Sequence, residues 1–269
     1  MKSQIKRHLY SAGIAALLAI GVAVRAQSQA AAPEFDAASI KPVAPGDRPN
    51  TGFFGSLKFT PGMVLSGRGN VSAGRIILEA YHLHDYQLIG GPAWLTSDNF
   101  ALEAKADTPA DEGQLRLMLQ TLLTKRFKLV THRETREMPV WALTVAKGGP
   151  KLHDMKPGEA MPRSREEMAK LGLARTWDGP LAGNMVEIGG IQTLVDILYG
   201  MSANPNSGME TRPVLDKTGL AGNYLFFFQW GANEYFKDVV QEVAGLKLEP
   251  SKAPVEVLVV DHIEKPDGN

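Results

Sequence analysis

Cysteine is missing from all 269 residues. Its absence removes disulfide stapling, thiolate metal sites and cysteine nucleophiles at once. Complete catalytic signatures are also lacking. Gly200-Met201-Ser202-Ala203-Asn204 stops short of a Gly-x-Ser-x-Gly elbow at the closing glycine, and the one Ser-x-x-Lys, Ser3 to Lys6, lies at the extreme N-terminus. A serine hydrolase is therefore disfavoured. His-Glu-x-x-His does not occur, and no Gly-x-Gly-x-x-Gly or P-loop is complete. Gly67-Arg68-Gly69-Asn70 ahead of a helix gives only a superficial likeness to an anion site.

Long apolar runs are scarce too. The exception is Ala12–Val24, thirteen residues against the roughly 20 that a spanning helix needs. Lys2, Lys6 and Arg7 precede it and Val24-Arg25-Ala26 follows with small residues at the outer positions, so residues 1–26 read as a cleaved secretory signal. No transmembrane span is expected after cleavage, and the location is exported, periplasmic or extracellular. The segment holds four basic residues (Lys2, Lys6, Arg7, Arg25) and no acidic one. Of 29 basic and 29 acidic residues, 25 basic remain against 29 acidic. A mildly acidic chain argues against nucleic acid or anionic lipid as partner.

Residues 27–33 read as a disordered leader. Phe35–Lys41 alternates as an opening strand, and Leu57–Thr60 and Met63–Ser66 form two short strands around the turn pair Pro61-Gly62. Asn70 or Ser72 caps a helix through Tyr81. The chain then crosses Gly90-Gly91-Pro92, buries Trp94 and Leu95, and enters a strand to Ala104. The clearest helix runs from Asp111 to Lys125, with Leu115, Met118, Leu119, Leu122 and Leu123 on one face. Phe127–Arg133 and Pro139–Ala146 read as the two arms of a hairpin. Residues 151–182 turn polar and read as a linker.

The order then recurs: a strand over Asn184–Ile188, a helix over Ile191–Tyr199, a strand block at Leu220–Gln229, a helix from Ala232 to Ala244, then Leu246–Leu248 and Pro254–Val260. Pro139-Val140-Trp141-Ala142-Leu143-Thr144-Val145 and Pro254-Val255-Glu256-Val257-Leu258-Val259-Val260 carry Pro, Val, Leu and Val at identical offsets. The expected fold is α+β, two related subdomains (34–150 and 183–269) arising by internal duplication, with helices packed on short, mostly antiparallel sheets.

Several pieces resemble one family: Phe35–Pro42, Tyr86–Leu95, Arg126–Leu129 with His132–Thr135, Lys147–Leu152, and Asp216–Tyr224. Together they look like the exported soil-associated proteins expanded in Acidobacteria, catalogued as a domain of unknown function. The resemblance covers nearly the whole mature chain. It implies no assigned activity and no catalytic residues. Related domains attached to membrane metallopeptidases of the antibiotic-sensor type suggest an extracytoplasmic sensing role, and the helix-then-strand unit is similar to the short N-terminal domains of secretins and TonB-dependent receptors. Phe226-Phe227-Phe228 departs from the family's alternation and implies a strand buried on both faces or a contact surface.

The candidate chemistry is thin. His82-Leu83-His84-Asp85 is the densest ligand cluster, with His132, His153 and His262 as the remaining histidines of the mature chain; capping or surface roles at a helix end outweigh a metal. Glu134 with Glu137, and Asp98 with Glu103, are carboxylate pairs best read as surface charge. Trp94, Trp141 and Trp230 read as core, and Trp177 as exposed. No catalytic, cofactor or metal residue is assigned. The reading is a non-catalytic, sensor-like binding module for a small molecule, peptide or envelope protein, its ligand lying between the two subdomains. The alternatives are an envelope hydrolase built on a carboxylate or on His82 and His84, and an assembly protein exposing Phe226–Phe228.

Overall fold

A computed structural model describes residues 32–44, 57–66, 71–171, 181–204, 207–231 and 234–266. Residues 1–26, expected from the sequence to be a secretory signal, Gly67–Asn70 and Trp177 lie outside them. Mixed helices and largely antiparallel sheets make the fold α+β.

Local signals set most elements. Strand β1 (Ala37–Pro42) begins two residues later than the alternation suggests. β2 (Leu57–Thr60) and β3 (Met63–Ser66) pair across Pro61-Gly62, where Gly62 takes φ +75°. β4 (Val71–Ser72) leads into α1 (Ala73–Tyr81), whose N-cap Ser72 accepts from the Arg75 N–H at 3.2 Å. β5 (Leu88–Gly90) is followed by a one-turn helix α2 (Trp94–Ser97), which buries Leu95 and leaves Trp94 half-buried, and then by β6 (Asn99–Lys105). α3 (Glu112–Arg126) starts at Asp111, which forms a reciprocal capping box with Gln114, and buries Leu115, Leu119 and Leu123.

The expected hairpin does not form. Phe127 instead caps α3 and is fully buried, and a single strand β7 runs unbroken from Val130 to Val145. Its Arg133–Met138 centre holds no glycine or asparagine to reverse the chain. The partner comes from far away: β12 (Leu246–His262) is likewise one strand, and the two pair antiparallel from Leu246↔Val145 to His262↔Val130.

Between them, β8 (His153–Asp154) and α4 (Arg165–Lys170) fall in the polar stretch after Pro150. β9 (Leu181–Gly189), α5 (Ile191–Ser202), β10 (Val214–Asp216), β11 (Tyr224–Gly231) and α6 (Phe236–Ala244) follow. In α5, Ile191, Leu194, Val195 and Leu198 are all buried, as their spacing predicts.

Among the described residues the strands form three sheets. β1, β6, β3 and β2 form one, with β4 also on β6; β8, β11 and β9 form another. The third has the order β10-β7-β12-β5, the short outer strands lying parallel to the long inner ones. β12 reaches both main cores, whereas β7 enters one of them. Leu258 and Val260 of β12 pack with α1, α3 and the first sheet. Trp141 and Leu143 of β7 pack with α5, α6 and β11, as do Leu246 and Leu248. Phe226, Phe227 and Phe228 are all buried because β11 is the middle strand of its sheet. Of the two expected readings, the strand is buried on both faces and is not a contact surface: Phe226 and Phe228 enter one core and Phe227 another, with Met155 and Met168.

Candidate functional site

The stretch after α1 meets α5 in a compact cluster of aromatic rings and carboxylates. α1 ends in a left-handed residue, His82 (φ 52°), and the Leu83 N–H closes back on Leu78 O at 2.8 Å. This reversal throws residues 84–87 away from the helix. A single 3-10 turn, Asp85–Gln87, holds them, with the His84 N–H donating to Gln87 Oε1 at 3.1 Å and the Gln87 amide donating to Glu256 O of β12 at 3.1 Å. The chain then joins β12 as β5 and must turn sharply. Gly90 and Gly91 both take φ +81°, a left-handed backbone that favours glycine, and a Cβ at Gly91 would also displace Leu95 Cδ1, 2.3 Å away.

From the other side, α5 presents Gln192, Asp196 and Tyr199 at i, i+4 and i+7, on a face flanking its buried stripe. His84 Nε2 lies 3.2 Å from Asp196 Oδ1, and the Gln192 amide donates to the same oxygen at 2.8 Å. The Tyr199 hydroxyl donates to Asp85 Oδ1. The rings of His84, Tyr86 and Tyr199 close a triangle. Centroids are 5.5 Å for His84–Tyr86, stacked, and 4.9 Å for both other pairs, with Tyr86 and Tyr199 edge to face. All three rings are half-buried, while Asp85 and Asp196 are exposed.

Both tyrosines are poor acids here. Burial, then the charges of Asp196 and Asp85, push the Tyr86 hydroxyl up to about 12. Burial and the hydrogen bond to Asp85 raise Tyr199 as well. The phenols stay protonated and neutral between two carboxylates, so the cluster offers ring faces and negative charge. Such a combination suits a cation.

The other candidates are dispersed. His82 is an exposed helix cap. His132 pairs with Asp261 at 2.9 Å, His153 with Glu159 at 2.7 Å and His262 with Glu264 at 2.9 Å. Among the described residues no three His, Asp or Glu side chains are grouped to hold a metal. Glu134 and Glu137 flank no turn: three apart on a straight strand, they leave opposite faces of β7. Asp98 pairs with Lys265 at 2.6 Å, and Glu103 lies in β6 opposite Ser39. Trp141 is buried and Trp230 half-buried. Where carboxyl pKa values move, they fall: Lys265 lowers Asp98, the Lys156 backbone N–H lowers Glu159, and Lys247 lowers Glu249. A general acid needs the reverse.

One open surface depression, about 570 Å³, lies where the Lys147–Lys151 loop crosses α6. Part of its lining holds that helix end. The Lys151 N–H donates to Ala244 O at 2.8 Å and its ammonium to Glu242 O at 3.1 Å, so the loop works as a helix cap.

Asp85 was visible in the sequence only as part of the His82–Asp85 ligand cluster, and Tyr86, Asp196 and Tyr199 were not singled out. The i, i+4, i+7 spacing on α5 is a visible signal, but its partner lies more than a hundred residues away. A family model described as a protein of unknown function (DUF3738) matches residues 74–263, more than two thirds of the chain. The match begins inside α1 and ends just past β12, so it takes in the whole aromatic cluster. No curated protein and no solved structure matches.

Proposed function

The chain belongs to the DUF3738 family of proteins of unknown function, and on that premise we propose that it is an exported module that binds a cationic ligand without transforming it. One observation carries this reading: three half-buried rings from two distant segments, His84, Tyr86 and Tyr199, meet beside the exposed carboxylates Asp85 and Asp196. Ring faces and carboxylates attract an ammonium or guanidinium group by cation–π and Coulomb terms together, about 0.5–2 kcal/mol per ring contact. Carboxyl pKa values that move downward argue against acid–base hydrolysis at those groups. Export, to the periplasm or beyond, rests on the basic-then-apolar character of residues 1–26.

The cluster lies between two subdomains, 34–150 and 183–269, which we take to be products of internal duplication. Two observations support that origin. Exchanging β5 with β10 and β7 with β12 leaves the sheet order β10-β7-β12-β5 unchanged when read backwards. The repeated Pro-Val-x-x-Leu-x-Val falls on the two paired long strands.

A second reading has its own observation. The polar groups of the cluster already satisfy one another, His84 with Asp196 and Tyr199 with Asp85, as in a clamp between the two segments. A thermal-shift screen of the full chain separates the two. The probes are tetramethylammonium, penta-lysine, penta-glutamate, neutral glycans and Zn²⁺. A ligand at a hundred times its Kd stabilises the fold by about 2.7 kcal/mol. A saturable rise with the cationic probes supports the binding module. A rise with Zn²⁺ that disappears in His84→Ala supports the hydrolase alternative, and no rise with any probe leaves the clamp.

A further inference from the structure

β7 has two edges. One pairs with β12 along its whole length; the other meets β10 only at Trp141, Ala142 and Leu143. Among the described residues no strand covers that second edge from Val130 to Val140. Seven of the ten residues 130–139 are exposed.

Two backbone bonds fix which residues face it. The Trp141 N–H donates to Pro213 O at 2.7 Å, and Leu143 O accepts from the Lys217 N–H at 2.9 Å. Groups alternate along a strand, so Thr131, Arg133, Thr135 and Glu137 present N–H and C=O to the open edge as well. Pro139 shares their parity and has no N–H to leave unpaired.

The side chains here read Arg133-Glu134-Thr135-Arg136-Glu137. Laid antiparallel against the same edge of a second copy, with a twofold axis through Thr135, Arg133 faces the other copy's Glu137 and Glu134 faces its Arg136. Odd and even residues point to opposite faces, so both faces of the seam carry two such Arg–Glu pairs. The four neighbouring axes set like charges against each other. An axis through position 133 or 136 sets arginine against arginine, and one through 134 or 137 sets glutamate against glutamate. The backbone parity agrees, because Thr135 meets Thr135 and Arg133 meets Glu137 as hydrogen-bonded pairs.

We infer that this edge is the seam of a homodimer, two copies joined strand to strand over residues 131–139. Charges and proline on an edge ordinarily deter pairing. Here the charge order is self-complementary about Thr135, which favours a second copy in that register. Within a single copy Arg133 pairs with Glu256 and Arg136 with Glu134. In the dimer these arginines share their carboxylates across the axis.

The absence of cysteine gives a clean test. Hydrogen-bonded antiparallel neighbours lie about 5.5 Å apart between Cα atoms, within disulfide reach. Thr135→Cys in the full chain is expected to oxidise to a covalent dimer, while Lys252→Cys, exposed on β12, forms no covalent dimer under the same oxidant. Sedimentation velocity is expected to show a dimer for the unaltered chain. Glu134→Arg with Glu137→Arg, or Arg133→Glu with Arg136→Glu, should each weaken it at least about tenfold. Mixing the two double variants should restore a dimer. A monomeric unaltered chain, no cross-link through position 135, or a dimer indifferent to both charge reversals would each overturn the inference.

Discussion

The Tyr199 hydroxyl hydrogen-bonds the carboxylate of Asp85, a residue 114 positions earlier in the chain. That bond ties α5 to the turn after α1 and fixes the orientation of the ring triangle. Tyr199→Phe keeps the ring and removes only the hydroxyl. Hydrogen bonds to charged groups contribute about 1.5–3 kcal/mol, and partial exposure of this one places the expected loss near the bottom of that range. Urea unfolding of the variant against the parent measures it; an unchanged midpoint would mean that the bond contributes nothing to the junction.

The core around β11 should be far less tolerant. Phe228 is buried edge to face against Phe236, with ring centroids 5.5 Å apart. Phe228→Ala leaves a cavity in the middle strand of its sheet, and the expected cost is about 3–5 kcal/mol by chemical denaturation. A cost near that of an exposed site, such as Val186→Ala on β9, would contradict the packing described.

A backbone contact makes a sharper prediction at Gly245. This residue ends α6 at φ +64°, and a Cβ there would lie 2.1 Å from Gly149 O. Gly245→Ala costs about 1–2 kcal/mol from the left-handed backbone alone, and the collision adds to it. The control is Gly219→Ala, also left-handed (φ +67°) but with open space around it. Thermal melts should rank Gly245→Ala clearly below Gly219→Ala, and equal melting temperatures would refute the close approach.

His132 supplies a pH dependence. The hydrogen bond to Asp261 raises its pKa above the ordinary 6.5, with smaller contributions from the Asp261 and Glu134 charges. A raised folded-state value means that the pair's contribution is fully present below pH 6.5. It is lost as pH rises through the higher folded value. NMR titration of the His132 ring should give a midpoint above 6.5, and Asp261→Asn should bring it down. Coincident midpoints in the two proteins would remove the ion pair from the account.

These sites differ in how far the sequence exposes them. α3 lies within one residue of its expected span because its signals are local: Asp111 as cap, the Leu115–Leu123 stripe, and Lys125-Arg126 at the end. The Pro61-Gly62 hairpin is equally local. β7 was read as two arms of a hairpin because alternation marks a strand but does not name its partner. The partner is β12, and a pairing more than a hundred residues long in sequence leaves no short-range trace. The ring triangle was hidden for the same reason. His84 was visible as a polar residue near a helix end, yet its role depends on Asp196 and Tyr199, which only the fold brings to it.

Calorimetric titration of penta-lysine into the full chain, repeated with Tyr86→Ala, tests the binding account most directly. Tyr86 holds two edges of the ring triangle, packs beside Val140 and Val255, and makes no side-chain ion pair. The account predicts a saturable, salt-sensitive isotherm for the unaltered chain and its loss, or at least about a tenfold weakening, in the variant. No heat of binding with the unaltered chain, or an isotherm that Tyr86→Ala leaves intact, would contradict it.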